Sequence, residues 1–147
     1  LTDGFNSLAH VRPPLRSAQD KELLRQGLKS GIIDAICTHH EPLSGSAKMA
    51  PFAETLPGIS AFDTYIPFGI QLVKEGLFSP LEWVEKVTLE PARVANMVKR
   101  WQSESGWVLV DPDLEWTVSK ENMLSKGNNT PLIQQKVQGK VVEIFLP

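Results

Sequence analysis

The sequence is short of several things, and each shortage closes off a class of protein. A single cysteine, Cys37, occurs in 147 residues, so no internal disulfide can form and a reducing, cytoplasmic compartment is expected. No excess of one charge exists either. Fifteen Lys and Arg stand against seventeen Asp and Glu, a net charge of −2, which removes polyanion binding as the default and gives no reason to expect nucleic acid. The apolar runs fall far short of the ~20 residues that cross a bilayer, so no membrane partner is expected. The first residues lack the basic and apolar regions of a signal peptide. A chain that opens on Leu1 rather than Met is expected to be a piece of a longer one. What is present suits one ordinary domain: 41% hydrophobic and 22% charged residues, enough to build a core.

Helix signals are clear in the first two thirds. Ser17 with Asp20 reads as a capping box, Leu23, Leu24 and Leu28 share a face, and Gly31 suits a left-handed stop. Ser60 with Asp63 reads as the start of a second helix carrying Ile66, Ile70 and Val73, kinked or shortened by Pro67 and ended by Gly76. Ser79-Pro80-Leu81-Glu82 is a cleaner start. A short helix is expected around Pro91 to Val98. Two stretches read as strands of a parallel sheet, one near His10 running into Pro13-Pro14, and Ile32-Ile33-Asp34-Ala35-Ile36-Cys37-Thr38, buried on both faces. Residues 39–59 form a long loop of the kind that often carries function. From about Arg100 the pattern becomes β-rich. Strands are expected at 107–110, 115–118 and 141–146, separated by Asp-Pro, Gly-Asn-Asn and Gly-Lys turns. Two strands with several helices cannot close a barrel or cover a sheet. The residues alone therefore read as the closing part of an α/β barrel (1–99) with a β-rich appendage (100–147).

The chemistry-bearing types gather where the second strand meets the long loop. In Thr38-His39-His40-Glu41-Pro42 an imidazole beside a carboxylate could ligate zinc or move protons. On an extended strand His39 and His40 face opposite ways, so sharing one ion needs a local bend. The other reading is a loop histidine bonded to backbone. His10 is the third and last histidine. Cys37, inside an apolar stretch, is expected to be a buried structural thiol. Arg12 and Arg16 flank Pro13-Pro14, where a guanidinium could clamp a carboxylate or simply pair on the surface. Gly58 could offer a backbone N–H. Trp101, Trp107 and Trp116 are expected in the core and rim of the β tail.

Taken in order, several segments form a pattern: Leu1-Thr2-Asp3; the 5–16 stretch ending Pro13-Pro14-Leu15-Arg16; Ile33-Asp34-Ala35-Ile36-Cys37-Thr38-His39-His40-Glu41-Pro42; and Ala47-Lys48-Met49-Ala50-Pro51-Phe52. Gly58, Pro91-Ala92-Arg93, Asp111-Pro112-Asp113-Leu114-Glu115-Trp116-Thr117-Val118 and the run from Ser125 to Pro131 follow. Together they resemble the C-terminal part of a dihydroorotase of the amidohydrolase superfamily, over nearly the whole chain. The resemblance implies an α/β fold, the C-terminal portion of a TIM-type (β/α)8 barrel followed by a small β-sandwich tail. It implies zinc-dependent interconversion of carbamoyl aspartate and dihydroorotate in pyrimidine biosynthesis. In that family the eighth-strand aspartate binds metal and works as acid and base, while a histidine four residues on and a seventh-strand asparagine bind substrate.

Carried across, those places are occupied by His39, Leu43 and Arg12, and only Gly58, whose counterpart uses its backbone, stays compatible. A neutral imidazole lacks the carboxylate's charge, leucine offers no hydrogen bond, and arginine is long and cationic. Losing a general base typically costs 10²–10⁴-fold in rate, and losing a buried hydrogen-bonding partner costs roughly 1–3 kcal/mol. The expectation is a pseudoenzyme with no catalytic residue assigned, His39 as the metal candidate at the family's aspartate place and no cofactor of its own. Non-catalytic homologues of this kind resemble subunits that scaffold aspartate transcarbamoylase, the expected partner. The missing N-terminal half of the barrel, or another copy of the chain, is expected to cover its open edges. Two rivals stand beside this: an active amidohydrolase in which His39 binds metal and Glu41 takes the acid/base role, and a ligand-binding module without chemistry.

Overall fold

The computed structural model describes residues 3–104 and 106–146; Leu1 and Thr2, which open the family-like pattern, lie outside them. The locally signalled helices form as read. Helix α1 (Ala18–Ser30) starts with Ser17 Oγ accepting the Asp20 N–H at 3.1 Å while the Asp20 carboxylate accepts the Ser17 N–H, and Gly31 at φ 78° ends it. Helix α3 (Pro80–Val87) repeats the device, the Ser79 N–H donating to Glu82 Oε2 at 2.6 Å. Because Ser17 and Ser79 need only the residues three places on, both caps were legible in sequence.

Helices α2, α4 and α5 depart from expectation. Helix α2 (Tyr65–Lys74) begins five residues after Ser60, which puts Pro67 in its first turn, where a missing N–H costs nothing. Ser60 and Asp63 are therefore not caps; both bond to the distant 119–131 loop. The helix expected at 91–98 is two helices, α4 (Leu89–Val94) and α5 (Val98–Glu104). They are parted at Asn96, whose left-handed φ of 55° lets the Met97 N–H return to the Ala92 carbonyl at 2.7 Å.

Strands correct the sequence reading further. Neither 32–38 nor the stretch near His10 forms a strand: residues 7–9 make a 3₁₀ turn and 32–38 carries no ladder. A strand exists only through its partner, and among the described residues none pairs with either stretch. Cys37, expected buried, is exposed, and Ile32 is 82% exposed. Among the described residues one sheet forms, pairing β1 (Trp107–Thr117) with β2 (Lys136–Phe145) as a small antiparallel ribbon. The Asp111-Pro112 turn is absent because β1 runs straight through it. Gly139-Lys140 is likewise no turn. Gly139 sits inside β2 at φ +100°, where a Cβ would lie 2.1 Å from Ile70 Cδ1. Trp107, expected in the β core or its rim, is 79% exposed. No helix among the described residues is long and apolar enough to cross a membrane.

The chain falls into two compact units, each assembled from three stretches. The first holds the stretch ending at Arg16, Thr38–Tyr65 and Glu115–Val137. Its interior is mostly polar: Lys48, Thr55, Ser60, Thr64, Ser119, Asn129 and Thr130 are buried beside Ala9, Val118 and Met123. The second holds Ser17–Cys37, Ile66–Leu114 and the stretch from Gln138 onward, and buries Phe78, Trp83 and Ala92. Gly69 of α2 lies directly against the Trp83 indole of α3, since a Cβ on Gly69 would lie 1.9 Å from Trp83 Cε2.

Two outcomes follow for the second unit. Gly69→Ala forces the indole aside and should destabilise by about 2 kcal/mol, the scale of core overpacking, read as a lowered urea midpoint at unchanged slope. Glu82 is held well below the usual carboxylate range, to about 2, first by the Ser79 N–H, then by Lys29 and the Ser79 hydroxyl. A carboxylate depressed on folding stabilises above its unfolded pKa and loses that contribution as pH falls through the folded value. Thermal stability should therefore decline between about pH 4.5 and 2 in a manner that Glu82→Gln removes.

Candidate functional site

The four family site positions, Arg12, His39, Leu43 and Gly58, all fall in the first unit, Arg12 on an extended segment and the other three on the 38–59 loop. The loop 38–59 is tied down at one end by Asn129, which is 2% exposed. Its Oδ1 accepts the Leu43 N–H at 2.8 Å, its Nδ2 donates to the Glu41 carbonyl at 3.1 Å, and its own carbonyl accepts the Ser60 N–H at 3.1 Å. The Ser60 hydroxyl, fully buried, lies 2.6 Å from Asn129 Oδ1 and 2.7 Å from the Gly127 carbonyl, one proton between two acceptors. Asp63 fastens the same neighbour from the other side, accepting the Leu124 N–H at 2.7 Å and the Ser125 N–H at 3.3 Å. These are the bonds that a helix-capping reading of Ser60 and Asp63 could not anticipate.

The two adjacent histidines take different parts. His40 Nδ1 accepts the N–H groups of Ala61 at 3.1 Å and Phe62 at 3.2 Å, and its Nε2 lies 3.4 Å from Ser125 Oγ. An Nδ1 that accepts leaves the proton on Nε2, so His40 is a backbone-bonded structural histidine. His39 is the local bend, at φ 45°, with its side chain 58% exposed. Its Nδ1 is 3.9 Å from Glu41 Oε2, an ionic neighbour beyond hydrogen-bond reach. The bend exists, yet it does not bring the pair onto one ion, because the Nδ1 of His40 is already occupied.

Leu43 and Gly58 meet. A Cβ on Gly58, at φ 146°, would lie 3.0 Å from Leu43 Cδ1 and 3.1 Å from the Glu41 carbonyl. Glycine is what lets the two turns of the loop close on one another. The Gly58 N–H is spent on the His10 carbonyl at 3.0 Å. Arg12 stands apart on the extended segment, exposed, after which the Arg12–Pro13 peptide is cis. With His10, Leu15 and Phe52 it lines a cleft of about 310 Å³. The His10 ring stacks on Phe52 at 4.7 Å. Its Nδ1 donates to Thr55 Oγ1 at 2.8 Å, because that hydroxyl's own proton goes to the Phe52 carbonyl.

Lys48 was the largest omission from the sequence reading, although it stands inside a quoted motif. It is 6% exposed, and its ammonium donates to the His10 carbonyl at 2.9 Å and the Leu56 carbonyl at 2.7 Å. Burial pulls its pKa below the usual lysine value, partly countered by the Glu41 carboxylate. The helical and loop context of a lone lysine gives no hint of this; a hydrophilic residue in a loop reads as exposed.

A catalytic zinc site needs three protein ligands. Among the described residues no three His, Cys, Asp or Glu side chains converge on a point. His39 with Glu41 makes at most a pair, so the residues of this chain do not by themselves fit the metal the resemblance implies.

The same network yields a stability outcome. Asn129→Ala leaves the Leu43 N–H and the Glu41 carbonyl without partners and should cost about 3 kcal/mol. Asn128→Ala should stay within roughly 0.5 kcal/mol. Urea unfolding of the two variants checks the difference.

No family model matches the chain. Among curated proteins it is 38% identical over 149 residues to a "Dihydroorotase-like protein" of Pseudomonas aeruginosa, covering 96% of this chain and 35% of that protein. It is 35% identical over 149 residues to a "Dihydroorotase" of Syntrophus aciditrophicus, again covering 97% and 35%. The chain thus spans about a third of the length of the curated relatives it matches. In solved structures it superposes on an L-hydantoinase (dihydropyrimidinase) from Arthrobacter aurescens with a TM-score of 0.84 at 22% identity, over 99% of this chain and 35% of that one. A D-hydantoinase gives 0.81 at 23%, over 95% and 33%. These neighbours are amidohydrolase (β/α)8 barrel proteins, so the chain has the fold of about a third of such a barrel protein and is similar in sequence, nearly end to end, to proteins named dihydroorotase or dihydroorotase-like.

Proposed function

We propose that this chain is the C-terminal part of a dihydroorotase-like protein of the amidohydrolase superfamily that has lost ring-opening activity and serves as a structural partner of aspartate transcarbamoylase in pyrimidine biosynthesis. The observation that carries the reading is the state of the 39–43 turn. Its backbone is gripped by Asn129, while the side chains it offers are an exposed imidazole and a leucine packed against Gly58. A neutral imidazole supplies none of the negative charge that a proton-shuttling carboxylate would, and Leu43 supplies no hydrogen bond. Arg12, at the family's asparagine place, puts a cation where an amide would sit. Frame kept and chemistry exchanged is the combination expected of a scaffold. The similarity to proteins named dihydroorotase-like and dihydroorotase supports the family part of the reading.

The second reading, an active amidohydrolase with rearranged ligands, rests on the 3.9 Å approach of His39 to Glu41. That pair could share a ligand or proton role if the remaining groups came from elsewhere in a longer protein.

One experiment separates the two. The full-length parent protein should co-elute with aspartate transcarbamoylase and show no ring opening of dihydroorotate above background. His39→Asp alone should not restore activity, since Leu43 and Arg12 remain. Ring opening at an ordinary enzyme's rate by the zinc-loaded parent would sink the pseudoenzyme reading, and separate elution at low salt would sink the partnership.

A further inference from the structure

The stretch from Lys48 to Leu56 is a strap over the first unit's surface. Met49 is 84% exposed, and Pro51, Ala53 and Glu54 are exposed too, while Phe52 turns inward onto His10 as one wall of the Arg12 cleft. At its base the strap is closed by a few bonds. The Leu56 N–H donates to the Ala47 carbonyl at 3.1 Å, and the Gly58 N–H to the His10 carbonyl at 3.0 Å. Ser7 Oγ donates to the Lys48 carbonyl at 2.8 Å. The Lys48 ammonium bonds to two places, reaching back to the His10 carbonyl and forward to the Leu56 carbonyl. A largely exposed segment closed at its base by a handful of hydrogen bonds belongs to the low-stability end of a fold. Charged donors make the strongest of those bonds.

We propose that Lys48 is the catch of this strap: a positioning residue whose ammonium holds Phe52 as the wall of the Arg12 cleft, so that the strap opens locally, without the rest of its unit, when the catch is removed. The inference concerns access to the cleft and does not rest on the scaffolding role. A lysine serving only as general core filling would, when lost, loosen the whole unit together. A catch loosens only what it holds. The amides of Leu56 and Gly58 report on the strap. The Val118 amide, which donates to the Gln135 carbonyl at 2.9 Å in the same unit, reports on the remainder.

Native-state amide exchange on the whole chain decides it. In Lys48→Met, which loses both ammonium hydrogen bonds, the Leu56 and Gly58 amides should exchange at least about tenfold faster, with Val118 unchanged. Lys48→Arg, which keeps charge and donors, should restore much of the protection. Unchanged Leu56 and Gly58 amides, or all three accelerating together, would overturn the proposal. If Lys48→Met does not fold, exchange of the unaltered protein in low urea decides instead. Leu56 and Gly58 should then open without denaturant dependence while Val118 follows global unfolding, and a common slope for all three would refute the catch.

Discussion

The side-chain amide of Asn129 and the ammonium of Lys48 hold the long loop of the first unit to one path. Each is buried, and each bonds to backbone far away in sequence: Asn129 to Glu41 and Leu43, Lys48 to His10 and Leu56. The energetics of such groups are asymmetric. A satisfied hydrogen bond contributes about 1 kcal/mol net, whereas an orphaned buried donor or acceptor costs roughly 1–3 kcal/mol. A buried polar network therefore does less to stabilise the fold than to forbid its alternatives. Among the described residues every buried side-chain nitrogen and oxygen is partnered, so the network is complete.

That constraint explains why the loop can be long and still hold one shape. Residues 39–59 contain little regular structure, only the 3₁₀ turns Gly45–Lys48 and Phe52–Glu54, yet the path is pinned near both ends. His40 joins the pinning through the Ala61 and Phe62 amides. His39, one residue earlier, sits on a left-handed backbone with its imidazole exposed and the Glu41 carboxylate 3.9 Å away. Two neighbouring histidines thus divide into one that builds the loop and one that the loop displays.

How much of this was legible depended on the distance between partners. The caps at Ser17 and Ser79 require residues three places away, and both were read correctly with their helices. Ser60 and Asp63 look the same in sequence, but their partners lie more than sixty residues on, so the identical local signal carried a different meaning. The apolar run at 32–38 has strand composition, but a strand needs a neighbour, and composition does not supply one. Gly139 was read as a turn because glycine usually marks one; its actual cause is the Ile70 side chain pressing on β2. The family resemblance supplied what local rules could not, by matching order along the chain rather than periodicity. Even so it said nothing of Lys48's burial.

The positions that fix shape and those that could carry chemistry are separable here, and Leu43 shows how. Its backbone N–H is one of Asn129's bonds, a service any residue but proline can perform. Its side chain is free to vary except where it meets Gly58. The same holds at His39, whose backbone makes the bend while its imidazole stands exposed. A fold organised in this way can exchange the reactive groups of a turn without disturbing the turn itself. The reverse does not hold. An apolar substitution at Asn129 or Lys48 removes hydrogen-bonding groups that the loop backbone requires, and a side chain on Gly58 meets Leu43 and Glu41. Exchange of the groups that the turn displays, with its surface shape retained, is thus a small step for this architecture, because the hydrogen bonds that define the turn run through its backbone.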